Sequence, residues 1–354
     1  MPDLQTIRSN IAQLPNGPPL VVALIGGTSG IGSYVAEAFA STFAAHGSKL
    51  RVYLVGRNAQ RAESLMRSGR ETSPGSDWRF IQAKNLALMS EVDAVSNEIA
   101  RQEEADPFQG GPPRLDALYM SSALSPIAPS PRTAEGLDSQ MSLLYYSRIE
   151  FIQNLTPLLR ACPGTAHVIS IFAGSMEDKF KPDQLPIGEP EEASYGITEV
   201  RTRTCFMKTF FFEWLAEEHA GKISFVHIYP GLVDGPTFYN NENPLWFRIL
   251  WTIMKPLASL WMTSPEVCGQ VMVSLSTSRY PAKGTVDAGE GAGGKVAYSS
   301  QREVGGGAYA VGQRGDERSE VSWASARRDD TGRKVLEHTM GVLYGAASKS
   351  NVGR

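Results

Sequence analysis

Residues 20–37 read LVVALIGGTSGIGSYVAE. The first six, Leu20 to Ile25, are continuously apolar, as expected of a strand buried on both faces of a parallel sheet. Gly26, Gly27, Gly30 and Gly32 then follow in one short turn, and from Tyr34 to Phe39 the pattern is helical. A strand, a glycine turn and a helix start, in that order, bring backbone N–H groups to the positive end of a helix dipole. Glycines there let a pyrophosphate come close. Gly26, Thr28, Ser29, Gly30, Ile31 and Gly32 are therefore candidate cofactor-binding residues, with Thr28 and Ser29 adding hydroxyl donors.

At 354 residues and 42% hydrophobic content, the chain can bury one large core or two small ones. A net charge of −3 gives no basic bias toward nucleic acid or acidic lipid. The three cysteines, Cys162, Cys205 and Cys268, are odd in number and lack metal-ligand spacing, so no metal site and a reduced, cytoplasmic protein are expected. Residues 1–19 hold Asp3 and Arg8 and no continuous apolar core, unlike a secretory signal. Pro244 to Met262, PLWFRILWTIMKPLASLWM, is broken by Arg248, Lys255 and Pro256 and is a poor membrane span. Its three tryptophans suit a lid over an apolar pocket, a subunit contact, a helix packed on the core, or peripheral membrane contact.

The rest of the chain alternates strands and helices. After a helix to about His46, a second strand covers Leu50 to Val55 and ends at Gly56-Arg57-Asn58. The end of that strand meets the adenosine ribose in dinucleotide folds; no acid stands there, and Arg57 is placed to pair with a 2′-phosphate, which favours NADP(H). Further strands are read at Trp78–Ala83, Leu115–Ser121, Ala166–Phe172 and Ile223–Tyr229, with an edge strand within Gly305–Val311. Helices are read at about Leu88–Glu104, Glu135–Arg160, Ser194–His219, Ser264–Ser276 and Gly332–Ala347. This predicts one domain over 1–282 and a glycine-rich extension over 283–354 packed on it.

GGTSGIG resembles the TGxxxGIG loop of the short-chain dehydrogenase/reductase family, with Gly26 where Thr is usual, and the likeness runs over roughly residues 18–280. It implies an α/β, Rossmann-type, doubly wound parallel sheet of about seven strands with helices on both faces, and a lid at about 236–262. By the same resemblance Asn85 takes the place of an adenine-binding Asp, and Ser121-Ser122-Ala123 that of Asn-Ala-Gly. Pro230-Gly231-Leu232-Val233 matches the turn that passes the nicotinamide, with Asp234 where Thr is usual. The catalytic positions Asn, Ser, Tyr and Lys read Leu144, Ala173, Tyr195 and Glu199. Ser170 and Ser175 flank Ala173 and offer a hydroxyl. Near Leu144, Tyr145, Tyr146 and Arg148 offer polar groups, with a solvent-facing Arg148 as the alternative. Tyr195 and Glu199, one helical turn apart, are expected to share a face, and a carboxylate there raises the phenol's pKa. Arg203, a further turn on, can pair with Glu199.

The tail, with Lys334 to Thr339, is similar to extended members of the family found in fungal secondary metabolism. The resemblance implies an NADPH-dependent reductase of an apolar intermediate, an activated carbonyl, enone or imine, with a non-standard proton donor. Tyr195, Glu199 and a water held by Ser175 are the candidate donors. The alternatives are a redox-silent isomerase, dehydratase or cyclase using Tyr195 and Glu199 as acid and base, and a silent binding partner. Homodimers or homotetramers are expected by analogy, joined through the long helices at 135–160 and 194–219.

Overall fold

The segment Leu20–Ile25 forms strand β1, and every residue after Leu20 is buried. Its side chains alternate as a pleat requires: Val21, Ala23 and Ile25 enter one hydrophobic layer, Val22 and Leu24 the other. A strand that buries both faces needs helices above and below, and the chain supplies them. The computed structural model describes residues 2–125, 130–172, 185–192, 195–239, 243–286, 296–317, 327 and 330–352.

Helix α1 (Leu4–Ile11) precedes β1, and α2 (Ile31–Thr42) follows the glycine turn. Then come β2 (Leu50–Gly56), α3 (Ala59–Thr72), β3 (Asp77–Gln82), α4 (Met89–Ala105) and β4 (Ala117–Met120). A short α5 (Ser139–Met141) runs through a π-helical turn (Ser142–Tyr146) into α6 (Ser147–Arg160). The remaining elements are β5 (Ala166–Ile171), α7 (Ile197–Glu218), β6 (Ile223–Ile228), α8 (Leu245–Ala258), α9 (Pro265–Ser274), β7 (Ala308–Val311) and α10 (Thr331–Val352). The strands form one parallel sheet in the order β3-β2-β1-β4-β5-β6-β7. Residues from α4, α6, α7 and α10 build one core layer, and residues from α1, α2, α3 and α9 the other. The expected Rossmann-type sheet is thus the observed one, with its seventh strand drawn from the segment after residue 282. None of the described helices is long and apolar enough to cross a membrane.

Two helix starts differ from the sequence reading, each for a local reason. The helix expected from Glu135 begins at Ser139, because the Asp138 carboxylate accepts the Met141 N–H at 2.8 Å and caps it there. Glu135 instead accepts the N–H groups of Met89 (2.6 Å) and Ser90 (3.0 Å), placing a carboxylate at the positive end of α4. The helix expected from Ser194 begins at Ile197, with Gly196 extended as its N-cap. Tyr195 therefore precedes the helix, and the shared face expected for it and Glu199 does not form.

Helix α10 lies against the helices that family analogy gave to a subunit contact. Tyr145 bonds Thr339 Oγ1 at 2.7 Å and Tyr146 bonds His338 Nε2 at 2.9 Å, both from the π-helical turn to α10.

Candidate nucleotide cleft and its polar wall

The strand order reverses between β1 and β4, where the chain has wound outward through β2 and β3 and returns to the other side of β1. Open α/β sheets bind ligands at that switch, beyond the carboxyl ends of the strands. Gly26–Gly32 sits there. Gly26 has φ +82°, and a Cβ on it would lie 2.8 Å from the Ser122 backbone nitrogen. A Cβ on Gly32 would lie 2.3 Å from the Gly26 carbonyl oxygen, so the turn closes on itself only with glycine at both ends. Among the described residues, the N–H groups of Thr28, Ser29, Gly30, Ile31 and Gly32 have no backbone acceptor. The first turn of α2 has no side-chain cap either. Such a row of donors at a helix N-terminus suits a dinucleotide phosphate.

The other predicted cofactor residues follow the carboxyl ends of β2, β3, β4 and β6, on the same side of the sheet as the glycine turn. The space a Cβ would need at Gly56 is filled by Thr28, so the loop rests on the end of β2 and Arg57 stands immediately beyond it. Asn58 is committed to capping α3 through the Arg61 N–H. Asn85 keeps an acceptor role, but its Oδ1 already receives the Ala87 N–H at 3.1 Å. Pro230, Gly231 and Val233 lie in the turn after β6; Val233 bridges Thr263, and the Tyr34 hydroxyl of α2 donates to the Asp234 carbonyl at 3.0 Å. The glycine helix is thus tied across the cleft to the turn.

Arg148 is the main correction on this wall. Of its two readings, a polar group near Leu144 and a solvent-facing residue, the second fails: the side chain is fully buried. Its Nη1 donates to Ser170 Oγ (2.7 Å) and to the Ile171 carbonyl (3.1 Å), its Nη2 to the Ser122 carbonyl (2.9 Å), and its Nε to the Leu143 carbonyl in the π-helical turn (3.0 Å). One guanidinium therefore joins the ends of β4 and β5 to the helix, beside Gly26. Burial pushes it down to about 9, which leaves it charged at neutral pH. Ser170, one of the two serines offering a hydroxyl beside Ala173, lies within β5 and is engaged by this contact.

The Tyr195 hydroxyl donates to Asp138 Oδ2 at 2.8 Å. Ser130 Oγ donates to the same oxygen at 2.7 Å and accepts the Gln140 N–H at 2.9 Å, and the Gln140 amide reaches the Ser125 carbonyl at 3.1 Å. Burial, with Asp138 adding to it and Ser130 opposing, pushes the phenol up to about 12. Glu199 accepts instead from Arg203 Nε at 2.9 Å on a partly exposed stretch of α7. Among the described residues no lysine amine bonds the Tyr195 hydroxyl. Ala173 and Ser175 lie outside the described residues, as do most of the loop 174–193 and residues 240–242 of the lid. Asp138 was missed at the level of sequence.

The chain was also compared with known proteins. No family model matches. It is 52% identical to short-chain dehydrogenase/reductase SAT2 of Stachybotrys chartarum, over 99% of both chains. The chain belongs to the short-chain dehydrogenase/reductase family. A protein named as an oxidoreductase in Emericella nidulans is 30% identical over 97% of this chain and 98% of its own. Among solved structures, L-sorbose reductase from Gluconobacter frateurii superposes with a TM-score of 0.53 at 19% identity, covering 86% of this chain and 98% of that one. That likeness is one of fold.

A cavity of about 760 Å³ lies at the opposite, amino-terminal ends of the strands, bordered by Leu20, Asp116 and His167. It is remote from the glycine loop.

Proposed function

We propose that this protein is an NADPH-dependent reductase of an apolar small molecule bearing an activated carbonyl, enone or imine, with Tyr195 as proton donor. The observation that carries the reading is the row of unsatisfied N–H groups over residues 28–32, with Arg57 and no acid at the end of β2. The solved L-sorbose reductase of this fold is described as an NADPH complex, which supports the choice of cofactor.

NADPH held in the cleft supplies the hydride. The proton is this chain's own contribution. A phenol held near 12 stays protonated at neutral pH, so Tyr195 is poised to give its proton to the developing anion of the substrate. In the family pattern a lysine favours the tyrosinate; here the nearest charged partner is the Asp138 carboxylate, which disfavours it. The cost of leaving a tyrosinate beside Asp138 restricts the enzyme to substrates that need little acid assistance, which is why activated acceptors are proposed. Asp138 takes the place that Glu199 held in the sequence reading.

The test is NADPH consumption, followed by its near-ultraviolet absorbance, with a panel of apolar enones, imines and activated ketones. Tyr195→Phe is expected to lower turnover by about 10²- to 10⁴-fold while leaving NADPH affinity within about twofold. The wild-type rate is expected to show no alkaline limb from Tyr195 below about pH 11, because the donor stays protonated until its pKa is approached. Substrate conversion without loss of NADPH would instead support a redox-silent reading, in which the Tyr195–Asp138 pair works as acid and base.

A further inference from the structure

Helix α8 presents an apolar face to solvent that nothing among the described residues covers. Its inner side is anchored: Trp251 stacks on Phe238 with ring centroids 4.0 Å apart, and Lys255 pairs with Asp234 at 3.1 Å. Its outer side carries Trp246, Ile249, Ile253 and Leu257, and Leu260 follows in the turn just after the helix; each is between 53% and 73% exposed. Leu245, Leu250, Met254 and Trp261, between 44% and 68% exposed, extend the same face.

We propose that this face pairs with the same face of a second copy, as an antiparallel α8–α8 contact on a two-fold axis through Ile253. The spacing supports it. These five positions advance by three, four, four and three residues from Trp246 to Leu260, a line symmetric about Ile253, with the exposed Leu250 and Met254 beside it. Under a two-fold axis, Trp246 meets the partner's Leu260, Ile249 meets the partner's Leu257, and Ile253 meets the partner's Ile253. Arg248 and Lys255 fall on the other side of the helix, so no like charges meet across the seam. A lipid surface is the poorer occupant, because only two cations stand on α8 and one of them is already paired with Asp234. The helices expected to join subunits are engaged by the chain's own α10, through Tyr145 and Tyr146 of the π-helical turn, through Gln153 of α6 and by packing on α7, which leaves α8 as an open apolar face among the described residues. The inference does not depend on the reaction catalysed.

The test uses the full chain with a single exposed cysteine introduced at Ile253, since Cys162, Cys205 and Cys268 are all buried. Mild oxidation of Ile253→Cys is expected to give a covalent dimer in high yield, and Thr252→Cys, next along the helix on its polar side, little or none. Light scattering at micromolar concentration is expected to find a wild-type dimer and a folded Ile253→Glu monomer with an unchanged circular-dichroism spectrum. A monomeric wild type, an Ile253→Glu dimer, equal cross-linking at 252 and 253, or a monomer that floats with phosphatidylcholine/phosphatidylserine vesicles would each overturn the proposal.

Discussion

Replacing Arg148 by Met should cost about 3–5 kcal/mol of folding stability, among the largest losses expected for any single substitution here. Methionine is similar in length and apolar, so packing in the helix is largely kept. What is lost is the donor set. The carbonyls of Ser122, Leu143 and Ile171 and the hydroxyl of Ser170 would each lose the guanidinium that now bonds them. A buried acceptor left unmade costs about 1–3 kcal/mol. Arg148→Lys should recover part of the loss, since one ammonium keeps the charge but cannot fork to Ser122 and Leu143 together. Because Ser122 abuts Gly26, both variants should also bind NADPH more weakly, by about tenfold for Met, an effect that a purely structural role elsewhere would not produce. Urea unfolding followed by circular dichroism reads the first effect; a stability change under about 1 kcal/mol would show that the buried cation is not what joins β4, β5 and the π-helical turn.

Gly32→Ala should reduce NADPH affinity by about 100-fold or more, equivalent to about 2.7 kcal/mol. Alanine is the better helix former by about 1 kcal/mol, so helix propensity alone predicts a stabilised α2. Position decides otherwise. The added methyl would lie 2.3 Å from the Gly26 carbonyl, 2.7 Å from Ser121 Oγ and 2.9 Å from the Gly27 Cα, and two of these three are backbone atoms. The clash is relieved only by opening the turn, which spreads the N–H groups of residues 28–32 that converge on the phosphate site. Fluorescence titration with NADPH measures this, with circular dichroism confirming that the sheet persists. An affinity within about threefold of wild type would show that those donors do not face the nucleotide.

The sheet was legible because its strands are continuous apolar runs and the glycine loop has one sensible structural setting. The polar wall was not. Asp138 carried a readable signal, an acid immediately before a helical run, yet Glu135 three residues earlier gave an equally good start. The choice between them rests on α4, whose N-terminus takes the Glu135 carboxylate, and a one-dimensional pattern does not show that meeting. Arg148 was read either as a polar group near Leu144 or as solvent-facing, because a lone charge is more often exposed and helical spacing alone does not choose between the two. Its partners are carbonyls exposed at two strand ends and in a π-helical turn, and only the folded topology brings those together. Tyr195 was aligned onto a helix because the family spacing needs one, whereas the extended Gly196 starts the helix after it.

The central claim is that the cleft between the glycine loop and Arg57 is built for a 2′-phosphorylated dinucleotide. Calorimetric titration of the purified chain with NADPH and NADH tests it most directly. One NADPH per chain should bind at least about tenfold more tightly than NADH, and Arg57→Ala should erase most of that preference while barely changing NADH binding. Equal affinities for the two nucleotides, or no heat from either, would contradict it.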